Sequence, residues 1–397
     1  MKIVQINSVP NGSTGSIMMN IHRELLNQGH ESYVVWGRGR NAENDHEIYM
    51  NDKLGVYLHV LYSRLTGKHG FASKRATRKL LKKLDEIKPD IIHLHNIHGY
   101  YINIELLFNY LKKNNIKVIW TLHDCWSFTG QCPHFERIKC EKWKNGCYKC
   151  PLIKTYPKSF IDNSKWNYNK KKELFTGLDL KIVTPSYWLA KLVKISFLKD
   201  YEVEVINNGI DTNIFKPTPS NFREKYNLQD KIIILGVSSV WTEAKGYYDF
   251  IELSNLLDDN YKIVLVGLNE KQLKEIPSNI LGLPRTNGPK ELAEIYTAAD
   301  VFFNASLEES FGLTTIEALS CKTNAIVYNS TALPEIIDGT NGYIIDSNNI
   351  YEVYDKIKNC INKEKSNATV SKYKLNLMIN NYIKSYKILN AKNKEEK

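Results

Sequence analysis

The stretch "DVFFNASLEESFGLTTIEAL", residues 300–319, decides how the chain is read. Its first part is an apolar, aromatic run of strand length, and its last part carries apolar residues at helical spacing. Ser310 and Gly312 stand where a helix starts. Glu309 then falls in the connecting loop and Glu317 in the second turn of the helix. A helix start offers unsatisfied backbone N–H groups and a partial positive charge, which suit a phosphate. Two carboxylates flanking such a start can each grip hydroxyl groups while the backbone between them holds an anion. In isolation the same residues also describe a solvated acid followed by an ordinary helix glutamate, so the rest of the chain must choose.

The strand-then-helix unit recurs. "KIVQIN", "ESYVVW", "DIIHLH", "KVIWTLH", "KIVTPS" and "VEVINN" read as strands of a first half, and "KIIILGVSS", "YKIVLVG", "NILGLP", "DVFFNAS", "NAIVY" and "GYIID" as strands of a second. Helical patterns such as "IMMNIHRELLNQG" lie between them. Alternation of this kind means parallel sheets covered by helices. The periodicity breaks over residues 212–230, which predicts an N-terminal domain 1–215 and a C-terminal domain 216–370. A last helix is expected over 371–390, with a disordered tail at 391–397. Two doubly wound, Rossmann-like α/β domains would face a central cleft, with ligands at the carboxyl ends of the strands.

Composition narrows the partners. The 397 residues are 43% hydrophobic, with 54 Lys and Arg against 43 Asp and Glu, a net charge of +11. No stretch approaches the roughly 18 to 20 apolar residues of a membrane span. "MKIVQINSVPNG" reads as a first strand and not a signal peptide, so a cytoplasmic chain is expected. The charge favours anionic partners: nucleotides, phospholipid surfaces or nucleic acid. In "SRLTGKHGFASKRATRKLLKKL" (63–84) the leucines and cations predict an amphipathic helix. Its basic face is either simply solvated or docked on the inner face of the cell membrane.

Candidate site residues gather at strand ends. Lys245 and Gly246 follow a strand in "SSVWTEAKGYYDF", where a lysine can neutralise a diphosphate. His123 and Asp124 end the strand "KVIWTLHD"; such a histidine is either a packed or capping residue or a polar group reaching into the cleft. "PNGSTGS" lacks the spacing of a dinucleotide fingerprint or a P-loop. Its Gly12, Thr14 and Gly15 read as a flexible loop on the acceptor side.

Taken together, "ESFGLTTIEAL", "VIWTLHD", "IVTPSYWLA", "VINNGIDTNIFKP" and "KGYYDFI" resemble the landmarks of the family-four retaining glycosyltransferases, in that family's order, over residues 1 to about 345. The resemblance implies a GT-B fold whose C-terminal helix crosses back onto the first domain. It implies transfer of a sugar from a nucleotide-sugar with retention. By motif position Glu309 would contact the donor sugar and Glu317 the ribose. Lys245 and the backbone of Ser310, Phe311, Gly312, Leu313 and Thr314 would hold the diphosphate, and His123 would lie by the transferred sugar. Where the family often has an arginine before the lysine, this chain has "SSVW", which leaves Arg285 as the second cation. No D-x-D pair is present, so no metal or other cofactor is expected for catalysis.

Five of the seven cysteines lie within residues 125–150. Cys132, Cys140, Cys147 and Cys150 suit a structural four-sulfur zinc site, free thiols, or a redox or cluster role. Similar cysteine-rich insertions mark a branch of the family tied to surface-polysaccharide assembly. The aromatic and basic run 154–175 suits plain surface, acceptor or membrane contact, and last of all nucleic acid. The expected function is extension of a glycan acceptor, lipid-linked, in capsule, O-antigen or exopolysaccharide synthesis, with no nucleic-acid partner. The alternatives are a nucleotide-sugar 2-epimerase of similar build and a zinc-stapled nucleic-acid-binding protein.

Overall fold

The computed structural model describes residues 1–50, 52–347, 349–363 and 369–395. The described residues fall into two compact units: Met1–Asn207 with Ile379–Lys397, and Asn208–Met378.

The first unit holds strands β1 (Lys2–Asn7), β2 (Glu31–Trp36), β3 (Glu47–Tyr49), β4 (Ile91–Leu94), β5 (Lys117–Thr121), β6 (Leu180–Thr184) and β7 (Glu202–Val205), in the order β3-β2-β1-β4-β5-β6-β7. The second holds β8 (Ile232–Val237), β9 (Tyr261–Val266), β10 (Ile280–Leu283), β11 (Val301–Asn304), β12 (Ala325–Tyr328) and β13 (Gly342–Ile345), in the order β10-β9-β8-β11-β12-β13. Every pairing is parallel. Both sheets are therefore doubly wound, and the strand order reverses between β1 and β4 and between β8 and β11. Of the strands, only the short β3 has no counterpart in the sequence reading.

Burial follows the pleat. In the second unit Ile233 and Leu235 of β8 join one core with Val264, Phe302 and Val327, while Ile234 joins the other with Ile263, Phe303 and Ile326. Alternate side chains thus feed two cores, one on each face of the sheet, which is why these strands read as unbroken apolar runs.

Three boundaries differ from the expected ones. The first unit ends at Asn207 and not at 215. The backbone of Ile210 is tied to the second unit at both ends: its N–H donates to Tyr373 O (2.9 Å), and its carbonyl accepts from Leu375 N (2.9 Å). The segment 63–84 is not one helix but the end of Lys53–Thr66 and most of Lys74–Ile87. Gly67, left-handed at φ 68°, stops the first by donating to Ser63 O. The last helix runs Leu375–Glu395, so the expected tail is helical as far as 395, and residues 396 and 397 lie outside the described residues.

From Ile379 onward that last helix belongs to the first unit, as the crossover expectation required. Tyr382 and Tyr386 are fully buried. The Tyr386 hydroxyl meets His93 Nδ1 at 2.6 Å, Tyr382 meets Thr121 Oγ1 at 3.1 Å, and Lys117 Nζ donates to Leu389 O at 2.9 Å. Burial holds His93 well below the ordinary histidine range, so the ring is neutral, one nitrogen donating and the other accepting between the Tyr386 and Thr121 hydroxyls. Tyr386→Phe leaves a buried ring nitrogen of His93 without its partner and is expected to cost about 1–3 kcal/mol. Urea unfolding of wild type and variant measures it; an unchanged midpoint would show the contact to be idle.

Candidate active site

In the second unit the site is built where the strand order reverses. The loop after β8 closes in a single 3-10 turn, Glu243–Lys245, ended by Gly246 at φ 74°. A Cβ on Gly246 would stand 2.2 Å from the Cβ of Ala305, just past β11, so only glycine allows the two loops to touch. Leu307 N donates to Ala244 O (2.9 Å) across the same junction. The result is an ion pair: Lys245 Nζ lies 2.5 Å from Glu309 Oε1 and 3.3 Å from Glu308 O, and Ser306 Oγ is 3.3 Å from the same carboxylate oxygen. Both side chains keep part of their surface open to solvent.

The loop after β12 supports this arrangement. Glu309 N donates to Thr331 Oγ1 (2.9 Å), and Ala332 N donates to Glu309 O (3.2 Å). Thr331 sits at φ 52°, an uncommon conformation for a β-branched residue, which the surrounding bonds must hold. Thr331 was not among the candidate site residues, although it stands in the turn between a strand and Pro334. Gly312, at φ 103°, opens the helix Leu313–Ser320, and a Cβ there would meet Leu333 and Ile336 within 2.9 Å.

The other residues expected to hold the donor divide. Ser310, Leu313 and Thr314 are half-buried at the helix start. Phe311 is buried against Tyr373 (ring centroids 5.5 Å apart), so only its backbone is available to an anion. The Thr315 hydroxyl accepts from Asn304 Nδ2 at 2.9 Å. Arg285, exposed after β10, donates to Ser239 O (2.7 Å) in the loop after β8. Glu317 is half-buried, and its Oε2 accepts from the Tyr296 hydroxyl at 3.0 Å, a partner the sequence did not reveal. Burial pushes the Glu317 carboxyl up to about 7, with the Tyr296 hydrogen bond opposing.

In the first unit, the expected loop Gly12–Gly15 is instead the first turn of the helix Gly12–Asn27. A Cβ on Gly15 would lie 2.5 Å from Pro10 C, so that glycine lets the turn back onto the strand exit and confers no mobility. Thr14 Oγ1 accepts from Asn7 Nδ2 at 3.2 Å.

His123, past β5, is buried and belongs to a chain of polar contacts. Gln5 Nε2 donates to Met18 O (3.3 Å), so its Oε1 accepts from His95 Nε2 (3.3 Å). His95 Nδ1 is then a bare acceptor facing His123 Nε2 at 3.2 Å, and the rings stack with an interplanar angle of 12°. That places the His123 proton on Nε2 and leaves its Nδ1 an acceptor. Burial lowers His123 to about 4, so it is neutral at neutral pH. Burial alone would raise Asp124, but the facing His98 (2.8 Å) and the Trp126 N–H outweigh it and hold the carboxyl at about 2. Gln5, His95 and His98 were missed, although "HLHNIH" at the end of β4 is a legible signal.

Cys132, Cys140, Cys147 and Cys150 line one cavity with Phe135, Trp143 and Tyr148. Gly130 N donates to Cys147 Sγ (3.1 Å), and the Cys132 and Cys150 thiols are hydrogen-bonded. Lys171 is buried behind them, donating to Trp126 O (2.7 Å) and Thr129 O (3.1 Å). Among the described residues, no group of three or more His, Cys, Asp or Glu side chains is gathered so as to hold a metal ion. None of the described helices is long and apolar enough to cross a membrane.

The chain resembles known proteins along its whole length. The family model described as Glycosyltransferase Family 4 matches residues 14–214, and that of Glycosyl transferases group 1 matches 219–376. A protein of Escherichia coli K12 named as the colanic acid biosynthesis glycosyl transferase WcaC is 24% identical, over 89% of each chain. A 41.2 kDa protein of the cps region of Klebsiella pneumoniae is 25% identical over 98% of this chain and 99% of its own. Among solved structures, sucrose-phosphate synthase of Thermosynechococcus elongatus superposes with a TM-score of 0.72 at 14% identity, covering 98% of this chain and 99% of its own. HepE of Anabaena in complex with UDP-glucose gives 0.66 at 13%, with the same coverage. Both structural likenesses speak for the fold. With family models spanning both units and two doubly wound parallel sheets, the chain belongs to glycosyltransferase family 4 and is a glycosyltransferase of the GT-B fold.

Proposed function

We propose that the enzyme transfers a sugar, with retention, from a nucleotide-diphosphate-sugar to a lipid-linked glycan acceptor in surface-polysaccharide synthesis. The observation that carries the reading is the Lys245–Glu309 pair at the β8/β11 reversal, beside the start of helix Leu313–Ser320. Ligands of doubly wound sheets bind at such a reversal. The relatives named for colanic acid synthesis and the cps region, and the neighbour holding UDP-glucose, support the polysaccharide and nucleotide-sugar parts.

In this mechanism the bond from the anomeric carbon to the diphosphate breaks heterolytically and its electron pair leaves with the diphosphate. Lys245 and the N–H groups at the helix start stabilise that growing charge. Glu309, relieved of part of its pairing with Lys245, accepts hydrogen bonds from the donor sugar. The acceptor hydroxyl attacks on the face the diphosphate leaves, and its proton passes to the departing phosphate oxygen. Neutral His123 serves through hydrogen bonding and not as a general acid. Glu317 accepts from the ribose hydroxyls.

Structural zinc in the cysteine cavity is a second, separate part of the proposal. Four thiols lining one cavity match it in number and kind, and zinc binding would have to draw them together and deprotonate Cys147, whose thiol burial pushes up to about 11 against the Gly130 N–H. No catalytic step depends on it.

Glu309→Ala is expected to lower the transfer rate by about 10²-fold or more while nucleotide-sugar binding changes little, and Lys245→Ala to weaken both. Calorimetric titration with nucleotide-sugars and single-turnover transfer measure the two effects; unimpaired transfer by Glu309→Ala would refute the assignment. Because the folded Glu317 value is raised, its ionisation removes stability as pH rises from about 4.5 to about 7. The ionised form is the better acceptor for ribose, so nucleotide-sugar affinity should rise across the same value near 7. A nucleotide-sugar diphosphate has no proton to lose in that range, so a slope that survives Glu317→Gln would rule out this residue as its origin. For zinc, elemental analysis of the purified protein should find about one equivalent, lost on Cys147→Ser; four freely reactive thiols and no metal would end that part.

A further inference from the structure

The helix Lys53–Thr66 faces the wrong way for a soluble surface. Leu54 (70% exposed), Tyr57 (75%), Leu58 (55%), Leu61 (52%) and Leu65 (52%) recur at helical spacing and form one outward stripe. The inward side is held by polar groups and by the partly buried Val56 and Tyr62. His59 and Ser63 are buried, and His59 is bonded to Ser73 Oγ (2.9 Å) and to Gly70 N (3.2 Å). The helix is thus firmly seated with all its leucines and Tyr57 in solvent.

The stripe continues beyond the helix end. Phe160 N donates to Arg64 O (2.9 Å), and Asn163 Nδ2 donates to Thr66 O (2.5 Å), which fix the exposed Phe160 (68%) and Ile161 (52%) there. Such a contiguous apolar area marks an interaction surface. Its rim is mainly cationic, with one exposed acid, Asp162, beside Ile161. The helix carries Lys53 and Arg64 and no acid, and exposed Lys158 precedes Phe160. Arg75 and Lys79 line a cavity with Asp52 at the helix start, where the Asp52 carboxylate is engaged in capping Gly55 N.

We propose that this face, the leucine stripe of Lys53–Thr66 with Phe160 and Ile161, docks the enzyme on an anionic lipid bilayer. The helix would lie in the plane of the interface, with leucines and Phe160 among the acyl chains, Tyr57 at headgroup depth and the rim lysines and arginines on lipid phosphates. Charge complementarity selects the bilayer over a second copy of this chain, whose identical basic rim would repel it. The surface lies wholly in the first unit and does not depend on the donor chemistry assigned above.

The test is co-sedimentation of the full chain, without nucleotide, with vesicles of phosphatidylcholine alone and of phosphatidylcholine with phosphatidylglycerol, at low and high salt. Wild type should pellet with the anionic vesicles. Leu58→Glu/Leu61→Glu should lose about tenfold or more of that partitioning with no fall in melting temperature. Arg75→Glu/Lys79→Glu should weaken it and flatten its salt dependence. Wild type remaining in the supernatant, or the leucine variant pelleting undiminished, would overturn the proposal. So would a dimer in sedimentation velocity that the leucine variant dissociates while vesicles bind neither protein.

Discussion

The approach of the loop after β8 to the loop after β11 governs the second unit. It is possible only because Gly246 has no side chain to meet Ala305. Once the backbones touch, Lys245 and Glu309, 64 positions apart in the chain, come within 2.5 Å. The ion pair is therefore a consequence of sheet topology. A reversal of strand order sends neighbouring crossovers to opposite faces and opens a gap at the strand ends. The β12 loop, through Thr331 and Ala332, then fixes the main chain of Glu309 on its other side. A half-exposed pair of this kind adds little to stability. In the proposed reaction its value lies in holding a cation and an anion in one place, ready to exchange partners with a ligand that carries both hydroxyls and phosphate.

The first unit solves a different electrostatic problem. His93, His95 and His123 are buried, and the cost of carrying charge away from water keeps all three neutral. Neutral imidazoles must each find a donor and an acceptor. The contacts run from Gln5 through His95 to His123, and from Tyr386 through His93 to Thr121. The first chain sets a tautomer; the second ties the last helix to the sheet. Asp124, one residue past His123, retains its charge because His98 faces it.

The two chemistries sit on scaffolds with the same winding and differ in what the strand ends carry. Carboxylates, a lysine and a helix start occupy the second; histidines and amides occupy the first. The cysteine-rich segment directly after His123 is organised by short turns, aromatic packing around Trp143 and the buried amino group of Lys171, which satisfies two carbonyls that no sheet reaches.

By itself the sequence determined the two α/β halves, the helix start at Gly312 and the loop position of Glu309. These are local properties: strand-length apolar runs, helical spacing and glycine punctuation act within a few residues. It also marked Lys245, Glu317 and His123 as strand-end or helix-start groups. What only the tertiary structure decided depends on contacts between distant segments. It paired Lys245 with Glu309, set Tyr296 against Glu317 and Thr331 against Glu309, and moved the boundary to Asn207 through the bonds of Ile210 with Tyr373 and Leu375. It turned Gly12–Gly15 from a loop into a helix start, because Gly15 packs on Pro10. And it chose which side of "KLGVYLHVLYSRLT" faces water. That segment has apolar residues all round, so periodicity cannot orient it; the seat made for His59 and Ser63 does, and it leaves the leucines outside.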